Sequence, residues 1–283
     1  MMKIERISAF SSEGMGGNPA GVVLLDTMLP VEKMQNIAAE VGYSETVFAV
    51  KKTQNDTNTD WRVRYFSPET EVPFCGHATI ALGAVLAEAC GDNTFDLELN
   101  DAQISVRGTK DHDAFKATLT SPPTQSSLLS CYETSLLLDL FGYSRAQLDP
   151  RLPPAAIHAG ADHYVFALRK REDLRHMVYD FDEGKAFMRK LGLVTIMLVW
   201  IESESVFHSR NAFASGGLME DPATGAATAA FSGYLRDRKW PKQHGITLIQ
   251  GEDMGRKSII NAHFCENIGS SIRVSGRTHK ILI

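Results

Sequence analysis

The chain lacks what would tie it to a membrane, a polyanion or an oxidising compartment. No apolar run reaches the roughly 20 residues that a membrane-spanning helix needs. The longest, residues 191–201, reads as a buried strand. The opening MMKIERISAF has no apolar signal core. Net charge is −5, without the basic excess that binds nucleic acid or an anionic lipid surface, so neither partner is expected. The cysteines Cys75, Cys90, Cys131 and Cys265 lie too far apart for zinc-ligand spacing or a disulfide framework. No metal is expected, and a reducing cytoplasm is the expected compartment. Low-complexity tracts, heptads, a dinucleotide fingerprint and a phosphate loop are missing too.

What is present is a soluble globular composition and 283 residues, enough for two domains. One stretch organises the rest. Residues 71–88 read EVPFCGHATIALGAVLAE. Pro73 fixes its φ and lacks a donor, and Gly76 tolerates turn geometry. Ala78, Thr79, Ala81, Leu82, Val85 and Leu86 then recur at helical spacing. Cys75, Gly76 and His77 are thereby placed at a helix N-terminus, where leading N–H groups and the positive dipole end attract carboxylates and phosphates. Residues 220–235, EDPATGAATAAFSGYL, repeat the pattern. With Gly76 laid on Gly225, Glu71, Pro73, Ala78, Thr79, Ala81 and Leu86 fall on Glu220, Pro222, Ala227, Thr228, Ala230 and Leu235. A period this long is not a solenoid repeat. It reads as two similar domains from a duplication, with two helix N-termini facing one cleft as a paired anion clamp. The polar, proline-bearing SPPTQSS at 121–127 is the best boundary. The domains are therefore expected at 1–122 and 123–283, with strand 278–283 a candidate to return to the first.

Along the chain, residues 3–10 alternate as a strand. The glycine-rich 11–21 reads as a surface turn or as a backbone donor loop in which Asn18 offers an amide. Residues 31–41 form an amphipathic helix with Met34, Ile37, Ala38 and Val41 on one face. After a stop at Gly42, Glu45 stands just ahead of Val47, Phe48 and Val50, where the chain enters a sheet. It reads as an ordinary edge glutamate or as a desolvated carboxylate suited to proton transfer. Residues 61–66, 94–104 and 114–120 are strand candidates, and 132–140 and 173–191 are helical. Residues 192–200 echo 42–50, with Thr195 in the place of Glu45, so the two halves of the cleft should differ chemically. Strands follow at 206–213, 246–249 and 258–263. Residues 250–258, QGEDMGRKS, read as a polar turn, and 271–283 as a hairpin about Ser275 and Gly276.

Five motifs occur in order: GNPAGVV (17–23), SETVF (44–48), EVPFCGHAT (71–79), EDPATG (220–225) and QG..MGR (250–256). Together, over nearly the whole chain, they closely resemble the phenazine-biosynthesis PhzF-like isomerase family, related to diaminopimelate epimerase. The resemblance implies an α/β (α+β) fold of two pseudo-symmetric domains, each a β-barrel-like sheet around a central helix, with the active site between them. It implies a cofactor-free isomerase, commonly a homodimer, that moves a proton on a small carboxylic acid. By the same resemblance Glu45 is the general acid/base, His77 and Asp221 assist, and Gly76 and Gly225 hold the substrate carboxylate. Asn18, Cys75 and Ala226 complete the expected substrate contacts. The chain departs from the pattern in places. Cys75 stands where epimerase relatives carry one of two catalytic thiols, and Thr224 stands in place of the second. Ala226 and Ala227 replace a hydroxyl that relatives often offer, and Lys257 replaces a usual proline. An epimerase or lyase using Cys75, and a degenerate relative that only binds, are the other readings.

Overall fold

The computed structural model describes residues 3–52, 59–240 and 244–282. The chain forms two compact units, Met1–Thr120 with Ser275–Ile283, and Ser121–Val274.

In the first unit β1 (Glu5–Ala9) and β2 (Asn18–Leu25) are antiparallel. Helix α1 (Val31–Val41) ends on Gly42, whose φ of 71° suits a residue without a Cβ. It leads to β3 (Glu45–Lys51), parallel to β2. β4 (Asp60–Phe66) returns antiparallel, and the short β5 (Glu71–Val72) folds against it. Helix α2 (Gly76–Cys90) then crosses to β6 (Asn93–Glu98), parallel to β4, and β7 (Gln103–Asp111) and β8 (Ala114–Thr120) follow as a meander. The last strand of the chain, β17 (Arg273–Lys280), pairs with both β1 and β8. This closes a ring of eight strands, β1, β2, β3, β4, β6, β7, β8 and β17, with no open edge.

Helix α2 lies inside that barrel. Every residue from His77 to Ala87 is buried, as a helix apolar on all sides requires. It packs on β1, β2, β3, β6, β7 and β8. Small residues permit so close a fit: a Cβ built on Gly108 of β7 would lie 2.1 Å from the carbonyl oxygen of Gly83 in the helix. Helix α1 covers the outside, placing Met34, Ile37 and Ala38 against Val23, Phe48 and Phe66.

The second unit contains β9 (Gln125–Leu128), α3 (Cys131–Phe141), β10 (Ala155–His158), β11 (Asp162–Leu168), α4 (Arg171–Arg175), α5 (Phe181–Leu191), β12 (Thr195–Ile201), β13 (Val206–Phe213), β14 (Leu218–Asp221), α6 (Gly225–Asp237), β15 (Gly245–Gln250) and β16 (Ser258–His263). The wiring repeats. β11 and β12 are parallel across a helical crossover, and β13 and β15 are parallel across α6. Helix α6 is buried from Ala227 to Arg236 and packs on β9, β10, β11, β15 and β16. The fold is thus two similar α/β units, each a sheet about a buried helix.

Both units fasten the short strand ahead of that helix with the same ion pair. In β4 Arg64 reaches Glu71 twice, Nε to Oε1 at 2.8 Å and Nη2 to Oε2 at 2.6 Å. In β13 Arg210 Nη2 reaches Glu220 Oε2 at 2.5 Å. The Arg64 hydrogen bonds hold the Glu71 carboxyl below its ordinary range.

Four expectations from the sequence change. Residues 18–21 are not part of a loop but open β2, and Asn18 is buried opposite Ala9, so apolar packing outweighs the glycine signal. Residues 94–104 are not one strand but the ends of β6 and β7, which form a hairpin. Helix 173–191 is two helices with a break at 176–180, where Asp180 caps α5. The closing hairpin is one continuous strand, β17. Ser275 is buried and Gly276 has no positive φ, so nothing turns the chain there. Of the expected strand 278–283, Ile283 lies outside the described residues.

Candidate active site

Glu45 is the first residue of β3, placed by the αL stop at Gly42 three residues before the ladder resumes. β3 pairs with β2 so that Glu45 lies opposite Ala20, beside the strand that begins at Asn18. Cys75 is the N-cap of α2, and Gly76 and His77 are its first two residues. The unit therefore brings together Glu45, Cys75 and His77, with Gly76 between the last two, while Asn18 starts the neighbouring strand two residues before the partner of Glu45.

His77 is at the centre. Its Nε2 lies 3.3 Å from Glu45 Oε2 and 3.3 Å from Ser44 Oγ. Its Nδ1 lies 3.3 Å from Cys75 Sγ. The ring also makes a hydrogen bond to the backbone of Pro19. Burial lowers the imidazole pKa, opposed by the Glu45 charge and the Pro19 bond, so the neutral ring is favoured. The side chains of Glu45 and His77 are 15% and 8% exposed, so the pair is largely shielded yet reachable. Glu45 Oε2 is sealed from solvent and is not aligned for a hydrogen bond to any neighbour. A buried carboxylate oxygen left in that state is costly for the fold and available for chemistry. Beneath the helix start, Thr79 Oγ1 donates to the Cys75 carbonyl at 2.7 Å, and the buried Tyr65 hydroxyl lies 2.7 Å from the same Oγ1. Desolvation raises the Tyr65 pKa and keeps the phenol protonated.

The ligand atoms of Glu45, Cys75 and His77 all lie within 4.8 Å of one another, a set able to hold a metal ion. The sequence expectation of no metal rested on cysteine spacing alone. Folding assembles this trio from one cysteine and two other residue types, which that spacing does not reveal.

In the second unit Asp221 ends β14, and Gly225 and Ala226 open α6 behind the N-cap Thr224. Asp221, Thr224 and Gly225 are buried, and Ala226 is half-buried. Thr224 Oγ1 donates to Asp221 Oδ2 at 2.5 Å. Gln250 holds this turn in place. Its Nε2 donates to the Asp221 carbonyl at 2.6 Å, and its Oε1 accepts from the Thr224 N–H at 3.2 Å and from Asn211 Nδ2 at 3.4 Å. Far from sitting in a polar turn, Gln250 is fully buried at the end of β15. The next residue, Gly251, has φ 74°, and a Cβ there would lie 2.8 Å from the Pro222 carbonyl oxygen. The second unit has no copy of the first unit's trio. Thr195 opens β12 where Glu45 opens β3, and Ala226 stands where His77 stands.

Ser44, Pro19 and Gln250 lie inside the motifs that carried the resemblance, but no role for them is readable from the residues alone. Only their contacts do, since a serine, a carbonyl and a glutamine carry no signal of their own.

The chain is 27% identical over 281 residues to the Uncharacterized isomerase YfhB of Bacillus subtilis, covering 96% of this chain and 94% of that one. It is 31% identical over 239 residues to an Uncharacterized isomerase of Deinococcus radiodurans, covering 83% and 76%. Its fold matches the crystal structure of the Bacillus anthracis phenazine biosynthesis protein of the PhzF family, with a TM-score of 0.83, 21% identity and coverage of 99% and 98%. Residues 7–281 match the family described as Phenazine biosynthesis-like protein, and with isomerases as its relatives the chain belongs to that PhzC-PhzF family as an isomerase.

Proposed function

We propose that the protein isomerises a small carboxylic acid without a cofactor, with Glu45 as the general acid/base. The observation that carries this reading is the shielded Glu45 Oε2, lacking an aligned partner and 3.3 Å from the Nε2 of a buried histidine. Glu45 takes a proton from a carbon near the substrate carboxylate and returns it at another carbon or another face. His77, kept neutral by burial, relays or donates a proton. Negative charge develops on the carboxylate side as the carbon loses its proton. Preorganised N–H groups at a helix start are suited to receive it. The reading gives that role to Gly76 and Gly225, with Asn18 and Ala226 as further substrate contacts and Asp221 as the assisting carboxylate. A cytoplasmic homodimer belongs to the same reading, and light scattering on the purified protein tests the assembly.

The test is proton exchange. Wild type and Glu45→Gln are incubated in D₂O with small amino acids, hydroxy acids and cyclic dienoic acids, and deuterium uptake is followed by NMR. The substitution is expected to slow exchange of the turned-over acid by roughly 10²–10⁴-fold, the range for a lost general base. An unchanged rate overturns the assignment. A second reading has Cys75 as the acid/base of an epimerase or lyase, favoured by the 3.3 Å approach of its Sγ to His77 Nδ1. Loss of exchange in Cys75→Ser with retention in Glu45→Gln selects it. A chain that only binds is selected by thermal stabilisation with an acid that shows no exchange.

A further inference from the structure

We propose that Cys75, His77 and Glu45 form a site for one thiophilic divalent cation of the Zn²⁺ class, and that its occupation stops isomerisation. The second clause rests on Glu45 being the base, while the first stands on geometry alone. A thiolate, an imidazole and a carboxylate are the three ligand types that zinc accepts, and three protein ligands leave a fourth position open. Zinc bond lengths of about 2.0–2.3 Å imply ligand-to-ligand edges of roughly 3.3–3.6 Å in a tetrahedral site. Here Nε2 of His77 lies 3.3 Å from Glu45 Oε2 and 3.9 Å from Cys75 Sγ. The first edge is already at tetrahedral spacing, the second is a few tenths of an ångström long, and the third, between Glu45 and Cys75, is within 4.8 Å, so a side-chain rotation at Cys75 is what closing on a cation requires.

Two further observations point the same way. Glu45 Oε2 is sealed from solvent without an aligned hydrogen-bond partner, the state that a cation corrects. His77 is also bonded to the Pro19 backbone, the kind of outer contact that fixes the orientation of ligating imidazoles. Glu45 keeps 15% of its side chain exposed, which gives a cation a way in. The sulfur and nitrogen donors favour Zn²⁺ or Co²⁺ over Mg²⁺. The same atoms then cannot serve both metal and substrate, because the carboxylate that would take the proton is coordinated.

The purified chain is titrated with CoCl₂ and watched for a thiolate-to-cobalt charge-transfer band, then back-titrated with ZnCl₂, with MgCl₂ as control. One equivalent of Co²⁺ is expected to raise the band and Zn²⁺ to abolish it. Cys75→Ser is expected to lose the band, and His77→Gln to weaken zinc binding by at least about tenfold, the effect that a lesser outer-shell change already produces. Circular dichroism confirms that each variant is folded, and if one fails to fold the other decides the result. No band at one equivalent, or zinc affinity unchanged in both variants, overturns the site, the second pattern marking adventitious surface histidines. Zinc is then added to the deuterium-exchange assay. Exchange that stops and returns with a chelator supports the block, and exchange unaffected at saturating zinc overturns it. Should Glu45→Gln prove not to slow exchange, only the function reading fails, and the titration still decides the site.

Discussion

Replacing Gln250 by leucine tests whether the buried amide is what fixes Asp221. The substitution keeps roughly the same volume and removes the polar end. Gln250 is fully buried, so water cannot replace what is lost. The Thr224 N–H and the Asp221 carbonyl each lose a bond, of 3.2 and 2.6 Å. At about 1–3 kcal/mol for each buried backbone group left short, the loss is about 2–6 kcal/mol. The same two residues form the turn that opens α6. A loosened turn shifts Asp221 and the helix start, and misplacement of about 1 Å in a site can lower a rate by about 10². Urea unfolding followed by tryptophan fluorescence reads the stability, since Trp200 and Trp240 lie in the same unit. Deuterium exchange on the acid that the wild type turns over reads the site. A stability loss below about 1 kcal/mol together with an unchanged rate refutes the reasoning. Lost stability with an intact rate separates the two roles, leaving Gln250 structural and Asp221 placed by other contacts.

Gly108→Ala sets a Cβ 2.1 Å from the Gly83 carbonyl oxygen in a closed barrel, so overpacking is expected to lower stability by about 1–3 kcal/mol, and an unshifted thermal midpoint contradicts the close fit. His163 is buried and desolvation pushes its imidazole down to about 4. The unfolded chain takes up that proton near pH 6.5, so it binds more protons than the folded chain between the two values. Stability contributed by the neutral ring is therefore full above about pH 6.5 and is lost as pH falls toward about 4, by about 3 kcal/mol in all. His163→Leu should flatten that part of the stability–pH curve, and identical slopes in the two proteins would sink the assignment. Glu45→Gln, beyond its effect on exchange, removes a carboxylate that finds no aligned partner, so its thermal midpoint is expected to equal or exceed that of the wild type.

Much of this was legible because local and global signals agree. Helix α1 was expected at its observed bounds, since Met34, Ile37 and Ala38 repeat at helical spacing and Gly42 ends them. The starts of α2 and α6 followed from Pro and Gly set ahead of runs of small residues. Cys75, Gly76 and His77 were placed together for that reason, and Glu45 was found at a strand entrance. What failed depended on burial. The NPAG of 18–21 carries turn residues but is packed into β2, and Ser275-Gly276 sits in a strand held on both sides. Gln250 looked like turn polarity because nothing in a sequence distinguishes a solvated amide from one closing a buried network. The trio of Glu45, Cys75 and His77 was hidden for a related reason, since metal-ligand spacing is read along the chain and these residues meet only through the β2–β3 register and the helix start.

The duplication supplies an internal comparison for what the first unit gives up. In the second unit the residue opening the equivalent strand is Thr195, and its Oγ1 lies 2.8 Å from Nδ1 of the buried His163. A neutral hydroxyl next to a neutral ring is an inexpensive way to close that register position. The first unit, on the same wiring, puts a carboxylate there, 3.3 Å from His77 Nε2, and the same ring meets Ser44 and Cys75. The fold does not need that carboxylate, because the second unit is built without one. Burying an ionisable oxygen with no aligned partner opposes folding, and such residues persist where the site uses them. The difference between the two strand entrances therefore argues for chemistry at Glu45 from within one chain, independently of any relative.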